Sequence, residues 1–169
     1  MNVLALCGSL RAASMNRMLL EASARAAAPF RIDIGDIGAL PLFNPDLEAD
    51  LPAPVRALHA RLERADALLI ASPEYAHGVT GVLKNALDWL VSFPPFVDKP
   101  VALFNASPRS VHADAALREI LTTMSANLVT GACLALPLRS TGPTVDSIVA
   151  MYGANIRAAL EVLSREVRA

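Results

Sequence analysis

Four polar side chains lie between Ser9 and Asn16, directly after an apolar run of strand length. Ser9 and Ser14 offer hydroxyls, Arg11 a guanidinium and Asn16 a carboxamide. A phosphate group has three strong acceptor oxygens, and Arg11 can meet two of them as a planar fork while the other side chains donate to the rest. A helix that begins here adds free backbone N–H groups. The segment therefore predicts a phosphate-binding loop; alternatively, Ser14 or Asn16 is only a helix N-cap.

A second segment, residues 72–81, has the composition of a loop that lies against a flat ring. Pro73 is rigid, Tyr75 is an aromatic side chain with a polar tip, and Gly78 allows close backbone approach. The alternative is a turn that leads into a helix. Within this loop we expect Glu74 to fix the backbone as an acceptor, and His77 either to donate to the ring edge or a substrate, or to be solvated.

Other chemistries are disfavoured by spacing. Cys7 precedes a phosphate-type loop, as the nucleophile does in low-molecular-weight tyrosine phosphatases, but Ala13 stands where those enzymes need an arginine. The sequence has no Gly-x-Ser-x-Gly elbow, and its histidines have no metal-ligand spacing. We therefore predict no metal site and no dedicated nucleophile, and we expect Cys7 and Cys133 to be core thiols.

These loops must be positioned by a regular array, because short apolar runs alternate with segments of helical period. This alternation predicts βαβ units, and hence an α/β fold with a parallel sheet in a single domain over residues 1–169. The runs Ala67–Ile70 and Val101–Phe104 are continuously apolar, which is typical of central strands covered by helices on both faces. The predicted strands lie near 2–7, 30–34, 66–72, 100–106 and 128–136, and the predicted helices near 16–28, 54–65, 80–92, 112–126 and 144–168.

In an open sheet of this kind, ligands bind at the carboxyl ends of the strands, where the winding direction reverses. We therefore expect three loops to converge, at residues 8–15, 72–80 and 105–112. Residues 35–53 form a long connection containing three prolines, and loops of that length tend to border a functional site.

Composition limits the partners. The chain has 169 residues, 54% of them hydrophobic and 18% charged, and a net charge of −1. We expect no nucleic-acid and no membrane partner, because no basic block and no long apolar span occurs, and we expect a cytoplasmic protein. The apolar face of helix 80–92 covers about half the circumference, wider than a helix on a sheet requires. We therefore predict a homodimer or homotetramer through this helix, with Trp89 in the contact; the alternative is a deeply buried helix.

The two loops, together with the sequence from Gly81 to Trp89, resemble the NAD(P)H-dependent FMN reductase family, which includes quinone, azo-dye and chromate reductases. The resemblance covers most of residues 1–130. It implies a flavodoxin-like three-layer sandwich with sheet order 2-1-3-4-5, bound FMN, and NADPH or NADH as electron donor. Many members have Asn where this chain has Ala76, and a glycine-rich third loop where this chain has residues 105–110.

By position, the resemblance implies two groups of FMN-binding residues. Those around the phosphate are Ser9, Leu10, Arg11, Ser14 and Asn16. Those around the isoalloxazine ring are Pro73, Glu74, Tyr75 and Gly78. In the third loop, where the chain departs from the family, Ser107 and Arg109 are candidate contacts of the flavin or the nucleotide; the alternative is a plain surface loop that leads into a helix near His112.

The predicted function is an FMN-dependent NAD(P)H oxidoreductase that reduces a small acceptor by ping-pong hydride transfer. The alternative is a non-enzymatic electron carrier of the flavodoxin type, against which the near-neutral charge argues. The sequence alone selects neither the acceptor nor NADH over NADPH.

Overall fold

A computed structural model describes residues 1–138 and 142–167, which form a parallel sheet between two layers of helices. The strand order is β2-β1-β3-β4-β5, with a short sixth strand paired to β4. This confirms the predicted winding and its reversal between β1 and β3. The strands are β1 Asn2–Cys7, β2 Arg31–Gly35, β3 Ala67–Ala71, β4 Pro100–Asn105, β5 Asn127–Leu128 and β6 Leu134–Ala135. The helices are α1 Met15–Ala26, α2 Ala53–Arg64, α3 Gly81–Asp88, α4 Val111–Thr123 and α5 Val145–Glu166.

The central strands are buried on both faces, as their continuous apolar runs predict. In β1, Val3 and Ala5 belong to the core cluster under α1 and α5, while Leu4 and Leu6 belong to the cluster under α2, α3 and α4. Successive side chains of a strand point to opposite faces, so one apolar run supplies both cores. The sheet is thus fixed between two helix layers, and its carboxyl edge carries the candidate loops.

The predicted fifth strand, 128–136, is broken in the structure. Asn127 pairs with Pro100, and Leu134 pairs with Phe104 farther along β4, while a 3-10 turn at Thr130–Ala132 separates the two pieces. In the gap the Leu103 amide donates to the Cys133 sulfur, 3.4 Å away, instead of to a backbone carbonyl. The prediction of an uninterrupted fifth strand was therefore wrong. The Cys133 thiol and the 3-10 turn replace part of the backbone hydrogen bonding between this segment and β4.

Helix α3 ends at Asp88 rather than near residue 92. After it, the chain tightens into turns in which the Leu90 and Val91 amides donate to the carbonyls of Leu87 and Asp88. Prolines at 94 and 95 follow, and the residue before a proline is disfavoured in a helix. The helix is correspondingly shorter than its apolar pattern indicates.

Trp89 is buried inside the chain and does not face outwards. It is 1% exposed, its indole N–H donates to the Pro41 carbonyl at 2.9 Å, and its ring meets the edge of Phe43. Segment 36–51 therefore covers the apolar arc that we attributed to a partner. The assignment of Trp89 to an intersubunit contact is wrong, and the alternative of a buried helix is correct for this side chain.

None of the helices within 1–138 and 142–167 is both long and apolar enough to cross a membrane. The helix prediction over 144–168 ends outside the described residues, since α5 is described to Glu166.

Candidate functional site

The loop after β1 and the loop after β3 meet at Gly8. The Gly8 amide donates to the Ala71 carbonyl at 2.8 Å, which extends the parallel pairing beyond the strands. A Cβ atom at position 8 would lie 2.2 Å from the Ser72 hydroxyl oxygen and 3.0 Å from that of Thr80. Only glycine allows this approach, so the sequence at position 8 sets how closely the two loops can come together.

The hydroxyls of the first loop shape its backbone. Ser9 Oγ accepts from the Arg11 amide at 3.4 Å. Ser14 is the N-cap of α1 and accepts from the Arg17 amide at 3.3 Å. Both oxygens act as acceptors, which leaves the Ser9 O–H to donate to a ligand and the Ser14 O–H to donate to a ligand or to the neighbouring Cys7 sulfur. The N-cap alternative is therefore correct for Ser14, and it is compatible with anion binding.

Arg11 is exposed at the rim of this loop and, in the part of the chain that the structure describes, forms no ion pair. The neighbouring Arg17 differs, because its Nε donates to Glu21 at 2.9 Å. Arg11 thus keeps its whole guanidinium fork for an anion, whereas Arg17 is already paired.

Asn16 has a role that sequence reasoning missed. Its side chain is buried, and Oδ1 accepts from the Ala106 amide at 3.0 Å. Asn16 therefore fixes the start of α1 to the loop after β4, while its amide group remains a donor. The sequence signal that could have revealed the burial of Asn16 is its position on a helical face that is otherwise mostly apolar.

The first two loops enclose a crevice of about 470 Å³. Its lining joins four of the five predicted phosphate residues to two of the four predicted ring residues. The lining residues are Ser9, Arg11, Ala13, Ser14, Met15, Asn16, Met18, Pro73, Tyr75, Gly142 and Pro143. The lining contains a guanidinium and no carboxylate, so an anion meets no like charge there.

Four predicted contacts do not line this crevice. The Leu10 side chain reaches Gly38, Glu74 faces α4, Gly78 closes a turn, and Ser107 Oγ accepts from the Arg109 amide. Ser107 lines a different cavity, of about 370 Å³, beside Arg118 and Cys133. The third predicted loop is therefore tied to the lining of this crevice through Asn16, which accepts from the Ala106 amide.

Residues 75–78 form a tight turn in the left-handed region. Ala76 and His77 have φ of 50° and 56°, and Tyr75 and Gly78 exchange backbone hydrogen bonds of 3.2 and 3.0 Å. Positive φ at both central positions defines a type I′ turn, which favours Asn and Gly. Within the described residues, the amides of Ala76 and His77 make no hydrogen bond and remain available as donors.

Glu74 fixes this loop to α4. One carboxylate oxygen accepts from the amides of His112 and Ala113, each at 2.9 Å. The pKa of the Glu74 carboxyl is lowered mainly by the Ala113 amide, with further lowering by the His112 amide and by the nearby imidazoles of His112 and His77. The prediction that Glu74 is a loop-fixing acceptor is confirmed.

Cys7 lies beneath the crevice as a buried thiol. Burial raises its pKa, although the sulfur lies 3.5 Å from the Ser9 carbonyl and can donate to it. A raised pKa keeps the thiol protonated at neutral pH, and the thiolate is the nucleophilic form. The structure thus argues against phosphatase chemistry. The described residues also contain no cluster of three or more potential metal ligands.

Comparison with known proteins decides the family. A profile of the NADPH-dependent FMN reductases matches residues 1–140. The chain belongs to this family. Its assignment confirms the family predicted from the two loops and agrees with a flavin-dependent oxidoreductase that uses a nicotinamide nucleotide.

Curated relatives are similar over part of their length. The NAD(P)H-dependent FMN reductase PA1204 of Pseudomonas aeruginosa is 41% identical over 109 residues, which are 62% of this chain and 59% of that protein. The NAD(P)H:quinone oxidoreductase of Solanum tuberosum is 45% identical over 112 residues, 62% of this chain and 57% of that one. The chain thus matches less than two thirds of each.

A solved structure is similar over nearly the whole chain. FerB, a flavoenzyme NAD(P)H:(acceptor) oxidoreductase from Paracoccus denitrificans, has a TM-score of 0.78 and 27% identity, and the alignment covers 98% of both chains. This similarity supports the flavodoxin-like arrangement of strands, helices and loops.

Proposed function

We propose that this chain is an FMN-dependent NAD(P)H oxidoreductase that reduces a quinone or a similar small acceptor. The observation that carries the proposal is the crevice at the carboxyl edge of the sheet, where the predicted phosphate loop (residues 8–15) and the predicted ring loop (residues 72–81) share one space. Family membership supports FMN as the occupant.

The residues of the crevice fit the two ends of FMN. Arg11 and the hydroxyls of Ser9 and Ser14 suit the phosphate, and the start of α1 adds amides and the positive end of the helix dipole. Pro73 and Tyr75 suit the ring, and the amides of Ala76 and His77 are donors for its polar edge. FMN, when bound, supplies the hydride chemistry, so the chain needs to bind, orient and tune it.

We further propose that nicotinamide nucleotide and acceptor use the same exposed side of the site in turn, which gives ping-pong kinetics. The quinone class is supported by the relatives, among them a 2-hydroxy-1,4-benzoquinone reductase from Burkholderia that is 48% identical over 83 residues. His77 is proposed as a proton donor to the reduced acceptor, because its imidazole is exposed at the tip of the ring loop. Cytoplasmic location remains a prediction, with which the free thiols Cys7 and Cys133 are compatible.

We also propose that the protein forms a homodimer or homotetramer beside α3, with a revised contact. Leu42 and Val91 are 83% and 65% exposed and lie on the two segments that Trp89 joins. These side chains replace Trp89 as the proposed intersubunit contacts.

The function is tested by the absorbance spectrum of purified protein reconstituted with FMN, before and after anaerobic addition of NADH or NADPH. Bleaching within seconds, followed by recovery when a benzoquinone is added, is the expected result and identifies the donor. A reconstituted protein that neither nucleotide bleaches contradicts the enzyme and favours an electron carrier. Absence of FMN binding contradicts both.

A further inference from the structure

The ring loop is attached to α4 by an imidazole stack as well as by Glu74. The rings of His77 and His112 lie 4.4 Å apart between centroids, with 22° between their planes. Both residues are exposed, and they come from different elements, so the stack joins the tip of the ring loop to the first turn of α4.

The turn that carries His77 requires external support. Two consecutive residues with side chains, Ala76 and His77, hold left-handed φ values of 50° and 56°. Such residues occupy this region at a cost and persist when their surroundings fix them. The turn has two cross-turn hydrogen bonds of its own, and the contact of His77 with His112 is the additional support.

We propose that His112 is a positioning residue for the ring loop: its imidazole stacks on His77, stabilises the left-handed turn, and thereby supports flavin binding. This proposal rests on the proposed function, since it assumes that FMN is the ligand of the crevice. His112 itself does not line the crevice and acts through His77.

Glu74 is a separate link between the ring loop and α4. Its carboxylate accepts from the backbone amides of His112 and Ala113, so a change of the His112 side chain leaves these two donors in place.

The test is titration of apoprotein with FMN, followed by fluorescence quenching, at pH 8. His112→Ala removes the stack, whereas His112→Phe keeps an aromatic partner that carries no charge. His59→Gln is the matched control, because His59 also stacks on a ring, that of Phe93 at 4.0 Å, on another part of the molecule.

At pH 8 we expect His112→Ala to bind FMN about threefold to tenfold more weakly than wild type, and His112→Phe to bind within about twofold of it. His59→Gln is expected to bind FMN as the wild type does. The double variant with His77→Ala is expected to be no weaker than His112→Ala alone. Equal affinities of wild type and His112→Ala, or a loss in His112→Phe as large as that in His112→Ala, overturns the proposal.

A second readout separates this proposal from the proposed function. If the wild type binds no FMN, the proposed function is contradicted. The effect of the His77–His112 contact on the turn is then tested in the free protein by NMR. The amide resonances of Ala76, His77 and Gly78 are expected to shift or broaden in His112→Ala and to stay near their wild-type positions in His112→Phe. Loop amides that are unchanged in His112→Ala overturn the positioning role of His112 independently of FMN.

Discussion

At the scale of single residues, Arg11 is the guanidinium that the crevice offers to an anion. Arg11→Ala is expected to weaken FMN binding by about 10- to 150-fold, because a hydrogen bond to a charged group contributes about 1.5–3 kcal/mol. The exposed position of Arg11 means that the domain should stay folded. Fluorescence quenching by FMN measures the loss. Arg17→Ala is the matched control, since Arg17 is already paired with Glu21, and equal losses in both variants would place Arg11 outside the phosphate site.

The left-handed turn provides a second prediction at this scale. Ala76 has φ of 50° and an exposed side chain, so Ala76→Gly removes a backbone strain of about 1–2 kcal/mol. Part of this gain is lost, because glycine makes the unfolded chain more flexible. We expect the free energy of unfolding to rise by about 0.5–1 kcal/mol in urea denaturation. Ala39→Gly, at an exposed loop position without positive φ, should instead lower stability or leave it unchanged; a fall for Ala76→Gly contradicts the assigned turn.

Side-chain types in the sequence predicted which residues surround the crevice better than they predicted what each one contacts. Ser9, Arg11 and Ser14 were found from their donors alone, because phosphate chemistry restricts the residue types. The contacts of Asn16 with Ala106 and of His77 with His112 join residues far apart in the chain. A local pattern can indicate that a polar residue such as Asn16 is buried, but it does not encode the partner, which depends on how the loops pack.

At the scale of elements, Glu74 supplies the cap that α4 lacks from its own N-cap residue. Ser110 makes no capping hydrogen bond with its side chain, and the amides of His112 and Ala113 donate to Glu74 instead. The ring loop and α4 are therefore coupled, and a change in one should be transmitted to the other.

We expect Glu74→Gln to lower the melting temperature at pH 7, because a neutral amide caps a helix N-terminus less well than a carboxylate does. The pKa of Glu74 is lowered in the folded protein, so its contribution is present above the unfolded carboxyl pKa and is lost as pH falls through the folded one. The difference between the two proteins should therefore shrink as the pH falls below about 4. Thermal unfolding followed by circular dichroism at several pH values measures it, and a constant difference would contradict the ionised cap.

Element order was predictable from the sequence because alternating apolar runs and helical periods leave few topologies. The residues at which helices and strands end were less predictable. Trp89 continues the apolar pattern of α3, yet its hydrogen bond to the Pro41 carbonyl belongs to another segment. Cys133 likewise interrupts the last strand by accepting the Leu103 amide. In both places a tertiary contact overrides the local period.

At the scale of the whole molecule, the high apolar content is largely used inside one chain. Two core clusters occupy the two faces of the sheet, and Leu83, Leu87 and Trp89 of the α3 region belong to the second. The wide apolar arc of the α3 region is therefore explained by burial under segment 36–51. Asn85 also holds this segment, because its side-chain oxygen accepts from the Phe43 amide at 2.8 Å. Exposed apolar side chains, and not the width of an apolar helical face, can therefore indicate where a second subunit would bind.

Leu42 and Trp89 separate assembly from folding in one experiment. Leu42 is 83% exposed, so Leu42→Asp should leave the melting temperature nearly unchanged and shift size-exclusion elution toward a smaller species. Trp89 is 1% exposed, so Trp89→Ala should instead cost about 3–5 kcal/mol of unfolding free energy, measured in urea, with elution judged on the fraction still folded. Sedimentation of the wild type over a range of concentrations gives the reference state. A wild type that sediments as a monomer throughout would contradict the proposed oligomer, whereas a Leu42→Asp protein with the wild-type mass would move the contact elsewhere on the surface.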